Sequence, residues 1–271
     1  MKSLLTLSLT AVAAISSAYG GPGTMTEMPE MSMAQPQMEV ADSFEAGRGL
    51  LTLEGPSGMF INPTSATLPR NTFTLQYCFF LPQNNSDVVG HGLLAAYGVT
   101  DWLELGAYGN YIDINDGVDD ELTGAGPFAR VRLIEPDGFI PQVSIGAYSR
   151  FSSDDALPQK IGAFAAAYTR VPIDEAGFLK SVGFHYGVRN VWLDGADDTF
   201  NGFIGAELQF PYRFYVVGEV STKDDDTQSE VPYSFGVQWR AAGVNISVAG
   251  IQDGNLDDPG FYFGIGYGLT F

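Results

Sequence analysis

The chain has 271 residues, with 33 glycines, 19 phenylalanines, 13 tyrosines and a single cysteine. Its formal net charge is -19, which argues against nucleic acid as a partner and against docking on an anionic surface by general attraction. One cysteine, Cys78, excludes an internal disulfide. No apolar run approaches the roughly 20 residues of a membrane helix, although 45% of the residues are hydrophobic.

The chain opens Met1-Lys2-Ser3, continues apolar from Leu4 to Ile15, and then reads Ser16-Ser17-Ala18. A positive start, an apolar core and small residues predict a signal peptide over 1–20, cleaved after Ala18 or Gly20. No Cys follows the apolar core, so no lipid anchor is expected. Residues 21–46 hold Met25, Met28, Met31, Met33 and Met38, broken by Pro22, Pro29 and Pro36, without hydrophobic periodicity. This reads as a disordered N-terminus. Clustered thioethers suit Cu(I), but no His or Cys joins them, and a flexible linker is the preferred reading; no cofactor or metal is expected.

Residues 47–71 are too rich in proline (Pro56, Pro63, Pro69) for a central strand. They read as a lead-in tucked under the downstream strands, or as a plug among them. From Thr72 the sequence falls into twelve strand-like runs of roughly nine to eleven residues, the length a tilted membrane strand needs. The runs are 72–81, 89–98, 102–112, 123–133, 141–151, 160–171, 181–191, 201–210, 213–221, 232–240, 244–250 and 260–271. Connections after the even runs include the shortest. Those after the odd runs hold more than half of the 32 acidic residues, among them Asp113, Asp116, Asp119, Asp120, Glu121, Asp224, Asp225 and Asp226. The expected fold is therefore all-β: a transmembrane, antiparallel up-and-down β-barrel of about twelve strands over 72–271. Outward aromatics support it by sorting into two girdles. Phe73, Tyr97, Phe210, Phe214, Trp239 and Phe271 fall at one end, and Phe79, Tyr111, Phe151, Tyr233 and Phe261 at the other.

The final run alternates strictly. Phe261, Phe263, Ile265, Tyr267, Leu269 and Phe271 form one face, with Tyr262, Gly264, Gly266, Gly268 and Thr270 on the other. It resembles the C-terminal signature strand of bacterial outer-membrane β-barrels. The resemblance implies a Gram-negative outer-membrane location, lipid and lipopolysaccharide as surroundings, and the barrel assembly machinery as a partner that reads the terminal Phe. The stretch from Gly58 through Asn62-Pro63-Thr64-Ser65-Ala66 to Arg70-Asn71-Thr72 resembles the start of the barrel domain in YjbH-type exopolysaccharide-associated outer-membrane proteins. That likeness covers about twenty residues and implies a link to surface polysaccharide.

Parity also assigns the inside of the barrel. It turns Arg130, Arg132, Arg150, Arg170, Arg189, Arg213 and Arg240 inward with Glu104, Glu207 and Glu219, and adds Tyr148 and Tyr215. Inward arginines attract carboxylates, phosphates or acidic sugars, and tyrosines stack on sugar rings. The first functional reading is thus a narrow channel for small anionic or saccharide solutes, similar in architecture to twelve-stranded channels for acidic oligosaccharides. Against it stands a closed structural or assembly-associated barrel, in which Arg and Glu pair across a narrow lumen. An outer-membrane lipid hydrolase is a third reading. Twelve-stranded outer-membrane phospholipases use a His-Ser pair, whereas His91 and His185 here have no recognisable nucleophile setting, so no enzyme is expected. The acidic loops offer oxygen ligands for Ca²⁺ but match no EF-hand spacing, and solvated loops are the preferred reading.

Overall fold

The computed structural model describes residues 51–53, 56, 58–83, 88–115, 119–137, 140–152, 159–174, 176–195, 197–241, 243–256 and 258–271. The expected signal peptide and the Met- and Pro-rich segment lie outside the described residues.

Twelve strands follow one another in chain order: β1 (Thr72–Leu81), β2 (Val88–Thr100), β3 (Leu103–Asn115), β4 (Asp119–Ile134), β5 (Gln142–Ser152), β6 (Lys160–Pro172), β7 (Ser181–Leu193), β8 (Thr199–Gln209), β9 (Phe214–Ser221), β10 (Tyr233–Ala241), β11 (Val244–Gln252) and β12 (Gly260–Thr270). Each pairs antiparallel with its neighbours in sequence, and β1 pairs with β12 to close the barrel. The closing register runs unbroken from Thr72 opposite Thr270 to Leu81 opposite Phe261. Closure matters because an open edge would leave unpaired N–H and C=O groups in lipid. We call the end where β1 begins and β12 finishes proximal, and the opposite end distal.

The alternation read from the sequence is the alternation of the wall. In β12, Gly260, Tyr262, Gly264, Gly266 and Gly268 are buried, while Phe261, Ile265, Tyr267 and Leu269 face out. Around the barrel, Leu93, Ile145, Ile161, Phe184, Ile204 and Phe235 are likewise large, apolar and exposed, Ile204 and Phe235 each by 63%. A soluble protein rarely exposes a continuous apolar band of this kind; in lipid it needs no cover. The proximal girdle residues Tyr97, Phe214 and Phe271 stand exposed on this surface, and Trp239 donates its indole N–H to the carbonyl of Tyr212 at 3.1 Å. Phe210 packs edge-on against Phe178 with centroids 5.1 Å apart. Distally, Phe261 lies 6.0 Å from Phe79, and Tyr111 lies 5.9 Å from His91.

Inside, aromatic rings lie flat across the glycine of the next strand. Phe128 sits opposite Gly106, and Phe164 opposite Gly146, as does Tyr148 opposite Gly162. A Cβ on Gly106 would lie 2.1 Å from the Phe128 ring, and one on Gly162 would lie 2.2 Å from the Tyr148 ring. The absent side chain is the space the ring occupies. Rings held down in this way pave the wall and leave the barrel's axis to other groups.

The largest boundary difference is at the β3–β4 hairpin. The sequence reading places a loop over 113–122, yet pairing continues to Asn115 opposite Asp119. Asp and Asn are poor strand formers, so the strand signal in the sequence stops while the backbone ladder continues.

Candidate functional site

The lumen is occupied by the chain itself. Asn71, with φ of 60°, turns the polypeptide from the inside of the barrel into β1. Its N–H donates to the carbonyl of Gly98 at 2.8 Å, and its own carbonyl accepts from the Phe271 N–H at 3.0 Å. Asn tolerates this left-handed conformation better than most residues. At Gly98 the incoming segment passes so close that a Cβ would sit 2.0 Å from the Pro69 carbonyl oxygen. From there residues 68 back to 58 run along the interior, and Leu51, Met59, Phe60, Ile61, Asn62, Ser65 and Leu68 are all buried.

Wall side chains hold this segment on many sides. Leu68 donates its N–H to Glu104 Oε2 at 2.8 Å. Arg130 donates to the same Glu104 oxygen at 2.6 Å and to the Thr64 carbonyl at 2.8 Å. Gln142 donates to the Ser65 carbonyl at 2.9 Å. Gln76 bonds Leu51 twice, accepting its N–H and donating to its carbonyl, each at 2.9 Å. Gln238 reaches the Met59 carbonyl at 3.4 Å, and Arg189 the Ile61 carbonyl at 3.5 Å.

Glu219 is the centre of the arrangement. Its Oε1 accepts from the N–H of Phe60 at 3.1 Å and of Ile61 at 2.7 Å, and its Oε2 accepts from the N–H of Asn62 at 3.0 Å. The Asn62 side chain adds a bond to Oε2 at 3.0 Å and another to Ser221 at 3.1 Å, and the Ser234 hydroxyl donates to Oε1 at 2.6 Å. Three successive backbone N–H groups converging on one carboxylate form an anion-binding concavity, here with the anion supplied by the barrel wall. Such charge-assisted bonds are the strong kind.

A second interior cluster lies towards the proximal end, where Glu207 accepts from Arg240 at 2.9 Å and from the Tyr168 hydroxyl at 2.9 Å. The Arg240 guanidinium covers the Tyr215 ring at 3.9 Å. His185 stacks on Tyr168 with centroids 4.4 Å apart, and its Nε2 is 3.8 Å from Glu207. Nearer the proximal rim, Arg170 binds Ser181 at 3.0 Å and also reaches Gln209.

At the distal end the 222–232 loop is bonded to the neighbouring hairpins on either side of it. Asn201 donates to the Thr222 carbonyl at 2.6 Å and to Gln228 at 3.0 Å, and the N–H groups of Ser229 and Glu230 donate to the Gly254 carbonyl. Asp224 accepts from the N–H of Phe200 at 2.9 Å, and that backbone bond holds its carboxyl below the ordinary carboxylate range.

The residues assigned to the lumen by parity thus separate into groups. Glu104, Arg130, Arg189 and Glu219 meet the interior segment. Glu207, Arg240 and Tyr215 meet one another, and Tyr148 is buried over Gly162 near Lys160. Arg150 and Arg170 are half-buried. Arg132, at the proximal rim, pairs with the exposed Glu135 at 2.7 Å. Arg213 is a correction: it belongs to the short 3-10 turn Pro211–Arg213, is exposed, and has φ of 64°. The tight β8–β9 connection spends Tyr212 and Arg213 on left-handed backbone, so β9 begins at Phe214, one residue after the sequence reading places it. Asn62, Gln76, Ser221, Ser234 and Tyr262 also belong to this interior arrangement, and the sequence reading does not single them out. For the four on strands, inward parity was the available signal; Asn62 offered none.

No protein-family model and no curated protein matches the chain. Among solved structures it is similar to CdiB from Acinetobacter baumannii at 9% identity and a TM-score of 0.37, over 73% of this chain and 60% of that one. The translocator domain of autotransporter NalP from Neisseria meningitidis aligns at 14% identity and a TM-score of 0.39, over 74% of this chain and 88% of that one. A mutant of the Rh. blastica porin aligns at 12% identity and a TM-score of 0.26, over 73% and 100%. The chain spans 60% of the length of CdiB. The barrel is established by its own strand pairing.

Proposed function

We propose that this protein is an outer-membrane β-barrel held shut by its own segment 51–71. The closed barrel is thereby preferred to the narrow channel for anionic or saccharide solutes. The observation that carries the reading is the binding of three consecutive N–H groups of the segment by Glu219. A conducting pore with an anion preference would leave its arginines facing water, whereas Arg130 and Arg189 bond carbonyls of the segment. On this reading the acidic distal loops face the cell exterior among lipopolysaccharide, and the proximal end faces the periplasm, where the assembly machinery acts. The tie to surface polysaccharide is not part of the proposal. Nor is catalysis: His91 accepts or donates a bond with the Tyr77 hydroxyl at 2.7 Å at the rim, and His185 stacks on Tyr168.

The test is electrical. Purified full-length protein in planar bilayers is expected to pass no steady current. Glu219→Ala strands three buried N–H groups at about 1–3 kcal/mol each, and it should produce frequent openings. A wild type with steady, anion-biased conductance that falls on Arg130→Ala would restore the channel reading and sink this one.

A further inference from the structure

We propose that the lumen is a receptor for polypeptide main chain, and that it accepts a segment supplied in trans where residues 51–69 of its own chain now lie. The inference rests on the reading that this segment closes the barrel. Its support is what the wall touches. Gln76, Arg130, Gln142, Arg189 and Gln238 bond carbonyls of Leu51, Thr64, Ser65, Ile61 and Met59. Glu219, Glu104 and again Gln76 take N–H groups of Phe60, Ile61, Asn62, Leu68 and Leu51. Acids meet N–H groups, arginines meet carbonyls, and Gln76 meets one of each. That division of labour is complementary to a peptide backbone.

Side chains of the segment contribute less to this set of bonds. Asn62 bonds Glu219 and Ser221, Phe60 rests edge-on against Tyr262 with centroids 5.7 Å apart, and Met59 lies over Gly205. Main-chain bonds that give affinity, with a few side-chain seats that give selectivity, are the general logic of peptide receptors. The shape requirement falls on Gly58. It bridges to Pro63, and a Cβ there would lie 2.1 Å from the Thr52 methyl and 2.4 Å from the Asn62 carbonyl oxygen. The partner is therefore a polypeptide with glycine at the start of a tight turn that presents three N–H groups in a row.

The experiment uses the full chain carrying Gly58→Ala, which loosens the resident segment and leaves every wall residue in place. Bilayer current from this variant should be blocked by a synthetic peptide of residues 51–69. A peptide carrying Ile61→Leu should block within about threefold of the same concentration. One N-methylated at the Ile61 nitrogen should be weaker by roughly tenfold or more, because a single charge-assisted bond is lost. A variant that conducts and is not blocked at about 100 µM peptide overturns the inference and leaves the closed-barrel reading standing, as does equal block by the N-methylated peptide. If Gly58→Ala does not fold, Asn62→Ala takes its place. If either variant is folded and silent, fluorescence anisotropy of labelled peptide in detergent decides, and no binding at the same concentration overturns the inference.

Discussion

Arg130 and Glu104 show how an ion pair inside a barrel differs from one on a surface. Both are completely buried and 2.6 Å apart, and each spends a further bond on the interior segment, at the Thr64 carbonyl and the Leu68 N–H. Removing one partner leaves an uncompensated charge, at a cost of about 3–5 kcal/mol. Arg130→Met should therefore lower the urea midpoint of the refolded protein markedly. The double variant Arg130→Met with Glu104→Gln should recover part of that loss, giving a coupling of roughly 0.5–3 kcal/mol in the cycle. Strict additivity would show that the pair does not act as a unit. Strand parity pointed both residues inward. What it could not supply was the carbonyl and the N–H they meet, because those belong to a segment with no periodicity.

At the scale of elements, the strands and the loops follow different rules. A strand in lipid must alternate, so its sequence reports its faces, and the bounds of β1 and β12 fall within one residue of the reading. A loop in water is free of that demand. The 222–232 loop reads as solvated acid, yet it is tied to the start of β8 through Gln228, Asn201 and the Asp224 bond to Phe200. The Asp224 carboxyl titrates below its ordinary range. Its contribution is therefore present above the unfolded carboxylate pKa of about 3.9 and is lost as pH falls through the lower folded value. Amide exchange at Phe200 should be protected at neutral pH, accelerate as the pH falls below about 4 once corrected for its intrinsic pH dependence, and be fast at every pH in Asp224→Ala. Protection unchanged by acid would remove the carboxylate from the loop's ordering.

For the whole molecule, the decisive contrast is between the two faces of one wall. The outside is apolar, as a surface against lipid would be, and the inside is polar and bonds backbone groups of the interior segment. Ile204, near the middle of β8 and 63% exposed, should be costly to charge: Ile204→Arg is expected to lose about 2–4 kcal/mol in folding into vesicles. Asp225→Arg in the distal loop should stay within about 0.5 kcal/mol. Equal effects at the two sites would mean that the apolar band does not meet lipid.

The sequence by itself determined the class of the fold, the number of strands, their faces and the seam between β1 and β12. Each of these follows from the period-two pattern that an apolar outer face and a polar inner face impose on every strand. Only the tertiary structure decided what the interior is for. Residues 51–71 carry no period, and their ten or so backbone bonds to wall side chains connect positions up to 179 residues apart. On the segment's side these contacts are made mostly by backbone groups, which every residue owns alike, and so leave little mark in its residue types. Asn62, with its side-chain bonds, and Gly58, where the missing Cβ is itself the contact, are exceptions.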